Sequence, residues 1–212
     1  SCTMSGSRSF LGESPAQRQL RRRNTLIEAA LDLIQEGGLV AIGVRSVSKR
    51  ANLSARYFYE SFASVEDLVI LMLREVFDEL MAQGMNALHE ADNGSIQPLV
   101  ETEILARFHY GLHAALAVVL NDARKIALIA SANADRGAVG QELRGMVLMV
   151  ADAIATDPRA PDAGIDHTSA LFIAGGIVEV TLAHVTGELT LDREALVKRL
   201  APMSFGAIKA SS

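Results

Sequence analysis

Two histidines, His109 and His113, stand four residues apart in a stretch with helical periodicity, the spacing that sets two metal ligands on one face. The stretch lacks the Glu of the metalloprotease pattern, and no cysteine lies near enough to act as a third ligand, so no metal is expected. Glu101 and Glu103 are two apart and cannot share a helix face, which removes the obvious acid/base pair. No Gly-x-Gly-x-x-Gly follows a strand pattern, and there is no Walker or Gly-x-Ser-x-Gly motif. The expectation is a chain with no cofactor and no catalytic site. The residues that can do chemistry are of another kind and are crowded into 44–62.

That segment reads Val44-Arg-Ser-Val-Ser-Lys-Arg-Ala-Asn-Leu-Ser-Ala-Arg-Tyr-Phe-Tyr-Glu-Ser-Phe62. Val44, Val47, Leu53, Phe58 and Phe62 recur at spacings that let two short helices share a small core. Ser48 and Ala51 are small where those helices approach, and Asn52 tolerates the left-handed backbone that a tight turn needs. Ser54, Ala55, Arg56 and Tyr57 are then left at the start of the second helix, the part of a helix-turn-helix that reaches base edges in the major groove. Arg56 has the fork geometry to pair with a guanine, and Tyr57 suits a phosphate or a thymine methyl. Phe58 and Phe62 read as core.

Charge supports this placement. The chain carries a net −5, but residues 1–62 hold nine Lys or Arg against five Asp or Glu, and the remaining residues hold eleven against twenty. A basic N-terminal unit on an acidic body is the electrostatic footprint of a nucleic-acid-binding head.

Residues 17–69 resemble the DNA-binding head of the TetR family of bacterial regulators. The resemblance rests on a long first helix ending in glycine, on Val-Arg-x-Val-x-Lys-Arg-Ala at 44–51, and on Leu-Ser at 53–54. It continues through Phe-Tyr-x-x-Phe at 58–62 and Ser-x-Glu-x-Leu at 64–68. It implies that Arg45 touches phosphate from the helix crossing the backbone. It further implies that Ser54, Ala55, Arg56 and Tyr57 form the start of the recognition helix, and that Tyr59 is a phosphate contact. Val65 stands where the family commonly has lysine, and Ser61 where it has His or Tyr, so two phosphate contacts are in doubt. The alternatives are a helical enzyme or adaptor whose helix-turn-helix is structural, and a regulator with no small ligand.

The elements that must position these residues are helices. Half the chain is hydrophobic, 21% is charged, and helix formers dominate, which predicts an all-α fold of about nine helices. Helices are expected near 16–36, 44–51, 54–61, 64–90, 96–120, 122–133, 136–156, 165–187 and 192–209. Gly37-Gly38 stops the first, Ser64 with Asp67 opens the fourth in the manner of a capping box, and Asp192 caps the last. Asp92-Asn93-Gly94 and the two prolines at 158 and 161 mark loops. The domains are expected as a leader over 1–15, a helix-turn-helix head over 16–63, and a helical body over 64–212. Met4 reads as a start residue preceded by Ser-Cys-Thr, so the leader is expected to be partly vector-derived. The single Cys2 fits a reducing cytoplasm, and the most apolar windows, 112–120 and 170–183, are too short or too interrupted to span a membrane.

The body has two expected tasks. The resemblance implies a homodimer through the last two helices, with Ala174, Gly175 and Gly176 allowing close approach and Ile177, Thr181 and His184 extending toward the partner. The second task is to hold a small-molecule effector of lipophilic character. Phe108, Leu112, Met146, Met149 and Phe172 are the expected lining, since Met and aromatic side chains suit an adaptable apolar pocket. The partners expected are thus operator DNA, a second copy of the chain and an effector, with release from DNA on effector binding.

Overall fold

A computed structural model describes residues 14–92, 99–157 and 165–210. Most of the expected leader and the two loops around 93–98 and 158–164 lie outside the described residues. The described residues form nine α-helices and no strand, so the all-α expectation holds. They are α1 (Pro15–Gly37), α2 (Val44–Arg50), α3 (Ala55–Ser61), α4 (Val65–Asp92), α5 (Glu101–Leu120), α6 (Ala123–Ala134), α7 (Ala138–Ala155), α8 (His167–Val185) and α9 (Arg193–Lys209).

Local sequence explains where several of them begin and end. Ser14 and Gln17 cap α1 reciprocally: the Ser14 Oγ accepts from the Gln17 N–H at 3.1 Å, and the Gln17 Oε1 accepts from the Ser14 N–H at 2.7 Å. Pro15 supplies a preset first helical residue. Gly38 ends α1 at φ +68°, a conformation that an L side chain adopts only under strain, and its N–H donates to the Ile34 carbonyl. Ser64 accepts from the Asp67 N–H at 3.0 Å to open α4. Asp122, Asp166 and Asp192 cap α6, α8 and α9 with their carboxylates.

One hydrophobic cluster runs through the molecule, from Leu26 and Ile34 of α1, through Val47 and Phe58, to Leu68 and Met72 of α4 and on to Leu196 and Leu200 of α9. α1 packs on α6, and that contact joins the first three helices to the rest. A second connection is ionic. Arg124 at the start of α6 donates to Glu28 and Asp32 of α1 at 2.7 and 3.0 Å, and to its own cap Asp122.

α5 and α8, which contain the two apolar windows, are 20 and 19 residues long, and by length and composition alone each is sufficient to cross a membrane. A helix packed inside a folded protein meets the same length and composition test. In the fold, α5 lies between α4 and α9, and α8 packs on α7. Ala151, Ala170 and Ala174 form the α7–α8 contact, small residues that let the two helices approach closely.

Candidate nucleic-acid interface and ligand cavity

The 44–62 segment folds into α2, a turn and α3. Gly43 opens α2 with its N–H donating to the Ser46 Oγ at 2.9 Å, while that hydroxyl donates onward to the Ala41 carbonyl. Asn52 takes φ +53°, and among the described residues it is the one non-glycine at positive φ. Its turn is locked by the Leu53 N–H donating to the Ser48 carbonyl at 2.9 Å. Val47 and Phe58 are fully buried and Phe62 nearly so. Phe58 packs its ring against Phe62 at 5.5 Å and against the edge of Tyr59 at 5.6 Å. Ser48 is buried at the contact between the two helices.

This core aims the remaining side chains outward. Arg45, Ser54, Ala55, Arg56 and Tyr59 are all exposed, and Ser54 sits in extended backbone at the N-cap of α3. Arg56 is 83% exposed and its Nε donates to Glu60 one turn on, at 2.9 Å. Tyr57 is only half exposed. The Arg22 guanidinium of α1 lies over its ring at 4.2 Å, and Arg22 also reaches Glu60 at 3.9 Å. Arg22 therefore ties α1 to two positions of α3. Sequence reasoning counted Arg22 only within the net charge of residues 1–62; the signal for its structural use is one arginine a full helix away from an aromatic flanked by Arg56 and Glu60.

Val65 is half-buried and packs against the main cluster, and Ser61 is half-buried at the end of α3. Arg50 is held by both oxygens of Glu36, at 2.9 and 2.6 Å, where it clamps α2 to α1. The pairing lowers the Glu36 carboxyl pKa, through the hydrogen bond from Arg50 first and its charge second, against the opposing effect of desolvation.

Residues 26–72 match the family model described as "Bacterial regulatory proteins, tetR family". The segment resembles a TetR-family head. The match runs from the middle of α1 into α4, past the expected boundary at 63. Over 78 residues the chain is 31% identical to the HTH-type transcriptional repressor KstR of Rhodococcus jostii (strain RHA1), covering 36% of this chain and 37% of that relative. The match thus spans little more than a third of the curated relative's length. The fold as a whole also has solved counterparts. The transcriptional regulator FadR from Bacillus subtilis, in complex with stearoyl-CoA, aligns with a TM-score of 0.67 at 14% identity, covering 87% of this chain and 98% of that one. FadR of Bacillus halodurans, a fatty acid degradation regulator, aligns at 0.66 and 17% identity, covering 86% and 97%. At such identities the likeness is one of fold.

Behind the helix-turn-helix segment, α4, α5, α7, α8 and α9 line a cavity of about 250 Å³. Phe108 and Leu112 line it, together with Leu80, Met85, Leu88, Ile154 and Ile177. The other three expected lining residues do not. Met146 is buried in the main cluster. Met149 and Phe172 are exposed, Phe172 to 70%, because each lies on the side of its helix turned away from the cavity. Two polar side chains reach the lining that sequence reasoning missed, Arg107 of α5 and Asp157 just past α7. The Arg107 guanidinium donates to Asp157 at 3.0 Å and to Asp92 at the end of α4.

The expected partner-facing residues of α8 are outward only in part. Ala174 is buried against α7, Ile177 lines the cavity, and Thr181 is buried with its hydroxyl donating to the Ile177 carbonyl at 2.6 Å. The outward stripe keeps the expected Gly175 and Gly176 and adds Phe172 and Glu179, joined on α9 by exposed Met203 and Gly206. A Cβ added at any of these three glycines meets nothing within 4 Å. His109 and His113 stack at 6.4 Å, and His113 faces Glu194 at 3.7 Å. Among the described residues, no group of three His, Cys, Asp or Glu side chains is placed to hold a metal.

Proposed function

We propose that the chain is a dimeric DNA-binding transcriptional regulator whose operator affinity responds to a lipophilic effector. The observation that carries the reading is the start of α3, where Ser54, Ala55 and Arg56 stand exposed above a buried Phe58 within a segment that resembles a TetR-family head. A helix N-terminus presented in this way enters the major groove, with Arg56 placed for guanine and Arg45 and Tyr59 for phosphate. The name of the Rhodococcus relative favours repression over activation. The head comprises 16–63 in this reading, with 64–212 forming the effector-binding and dimerisation body.

Dimerisation is supported by the outward stripe of α8 and α9. An exposed Phe172 beside three open glycines gives an apolar, closely approachable surface, and surfaces of that kind mark interfaces. Two copies joined there would carry two heads for a pseudo-palindromic site. The cavity supports the effector reading, and the stearoyl-CoA in the Bacillus subtilis structure shows that a protein of this fold takes a long aliphatic ligand. An effector that binds better to a non-DNA conformation would shift the population from the operator.

Selection of bound fragments from random duplex DNA tests the reading: enrichment of one two-fold-related sequence supports it, and no enrichment over bulk DNA overturns it. Phe172→Glu is expected to turn the dimer into a monomer in analytical ultracentrifugation without lowering the melting temperature of the monomer fold. A variant that sediments as the parent does would place the interface elsewhere.

A further inference from the structure

We infer that the cavity accepts an aliphatic chain ending in a carboxylate, and that this carboxylate takes the place of Asp157 on Arg107. The inference rests on the effector reading above and specifies the head group of the ligand. Of the described residues lining the cavity, Arg107 and Asp157 alone are charged, and the rest are aliphatic, Met, Phe or Gly. A cavity that is apolar throughout except for one ionic corner fits an amphiphile with its chain inside and one polar head at that corner.

The state of the corner selects the head. Arg107 is 13% exposed and bonds to Asp92, at 15%, and to Asp157, at 31%. A guanidinium carries five N–H donors in a planar fork, so beyond these two bonds it can donate to a different oxygen pair. A carboxylate added to the intact group would bring a third anion to a guanidinium that is mostly withdrawn from water. An exchange avoids this. The ligand carboxylate replaces that of Asp157, and Asp157, already a third in water, turns out to solvent. The number of ion pairs at Arg107 is then conserved.

A cationic head brought to Arg107 would meet its positive charge, and Asp92 on α4 holds that guanidinium in place. A neutral head fills the same chain space but leaves Asp157 where it is, and gains no charge-assisted bond. Asp157 thus acts as an internal competitor that only an anion of its own type can replace.

The test is isothermal titration calorimetry on the full chain at pH 8, below the micelle threshold, with decanoate, methyl decanoate and 1-decanol. Decanoate is expected to bind at least about tenfold more tightly than either neutral analogue. Asp157→Asn removes the competing charge, and is expected to strengthen decanoate several-fold while leaving the neutral ligands unchanged. Arg107→Met is expected to abolish the preference for the acid while the neutral ligands still bind. Equal binding of acid and ester to the parent protein overturns the head-group inference alone, and so does weaker decanoate binding by Asp157→Asn. If none of the three ligands binds the folded protein, the effector reading of the cavity falls with it. Should Arg107→Met fail to fold, the Asp157→Asn result decides.

Discussion

Arg56 on α3 and Arg107 on α5 each pair with carboxylates of their own chain, but in opposite surroundings. The Arg56–Glu60 pair is an exposed i,i+4 contact, with side chains 83% and 37% accessible. Such a pair contributes little, about 0.3–0.5 kcal/mol, and is screened by salt. It can open for a phosphate or a base edge at almost no cost. The Arg107 group is mostly withdrawn from water and joins three elements, α4, α5 and the end of α7. Breaking it without replacement leaves a charge uncompensated, so only a group of matching charge exchanges there readily. The lesson is that the exposed arginine is available to a new partner, whereas the cavity arginine is engaged by its own chain.

The comparison can be broken first at the support of the DNA-facing surface. Phe58 is fully buried between α2, α3 and α1, so Phe58→Ala is expected to lower folding stability by about 3–5 kcal/mol. Denaturant unfolding measures this, and a loss under about 1 kcal/mol would mean that α3 is not held by its core in the way described.

The two arginines themselves sharpen it. Arg107→Met is expected to cost about 1–3 kcal/mol of folding stability, since Asp92 and Asp157 both lose the guanidinium bond. Arg56→Ala is expected to stay within about 0.5 kcal/mol of the parent. Equal losses in thermal unfolding would erase the contrast between them.

A smaller effect concerns the link between the regions. Arg124→Ala removes the bonds to Glu28, Asp32 and Asp122, and is expected to cost about 1 kcal/mol, because both partners on α1 are substantially exposed. The Asp122 carboxyl is held below its ordinary 3.8, mainly by the Arg124 side chain and further by the Arg124 backbone N–H, with desolvation opposing. A folded value below the unfolded one adds stability that is present above about pH 4 and lost as pH falls through the folded value. The gap between parent and Arg124→Ala should therefore close in acid. A gap that persists unchanged at pH 2 would remove Asp122 from the explanation.

The N-terminal region was largely legible because its signals are local. The Gly37-Gly38 stop, the Asn52 turn and the apolar spacing of Val47, Phe58 and Phe62 all act within a few residues, and each is found in the fold as expected. The interactions that were missed are non-local. Arg22 meets Tyr57 across 35 residues, and Arg107 meets Asp157 across 50. Ala174, Ile177 and Thr181 of α8 are expected on the wrong face because that helix is apolar nearly all round, so no polar stripe marks which side faces α7, the cavity or the outside. Phe172 and Met149 have the chemistry of a pocket lining but sit on outward faces, and only the packing of α7 on α8 determines this.

The central claim is that the start of α3 reads DNA through Arg56. The direct measurement is a fluorescence anisotropy titration of a duplex carrying the selected sequence, with the parent protein and Arg56→Ala, at fixed salt. The account predicts a loss of about 1–3 kcal/mol, roughly tenfold to a hundredfold in affinity, with relaxed preference at one base pair of each half-site. Unchanged affinity and unchanged preference in Arg56→Ala would contradict it.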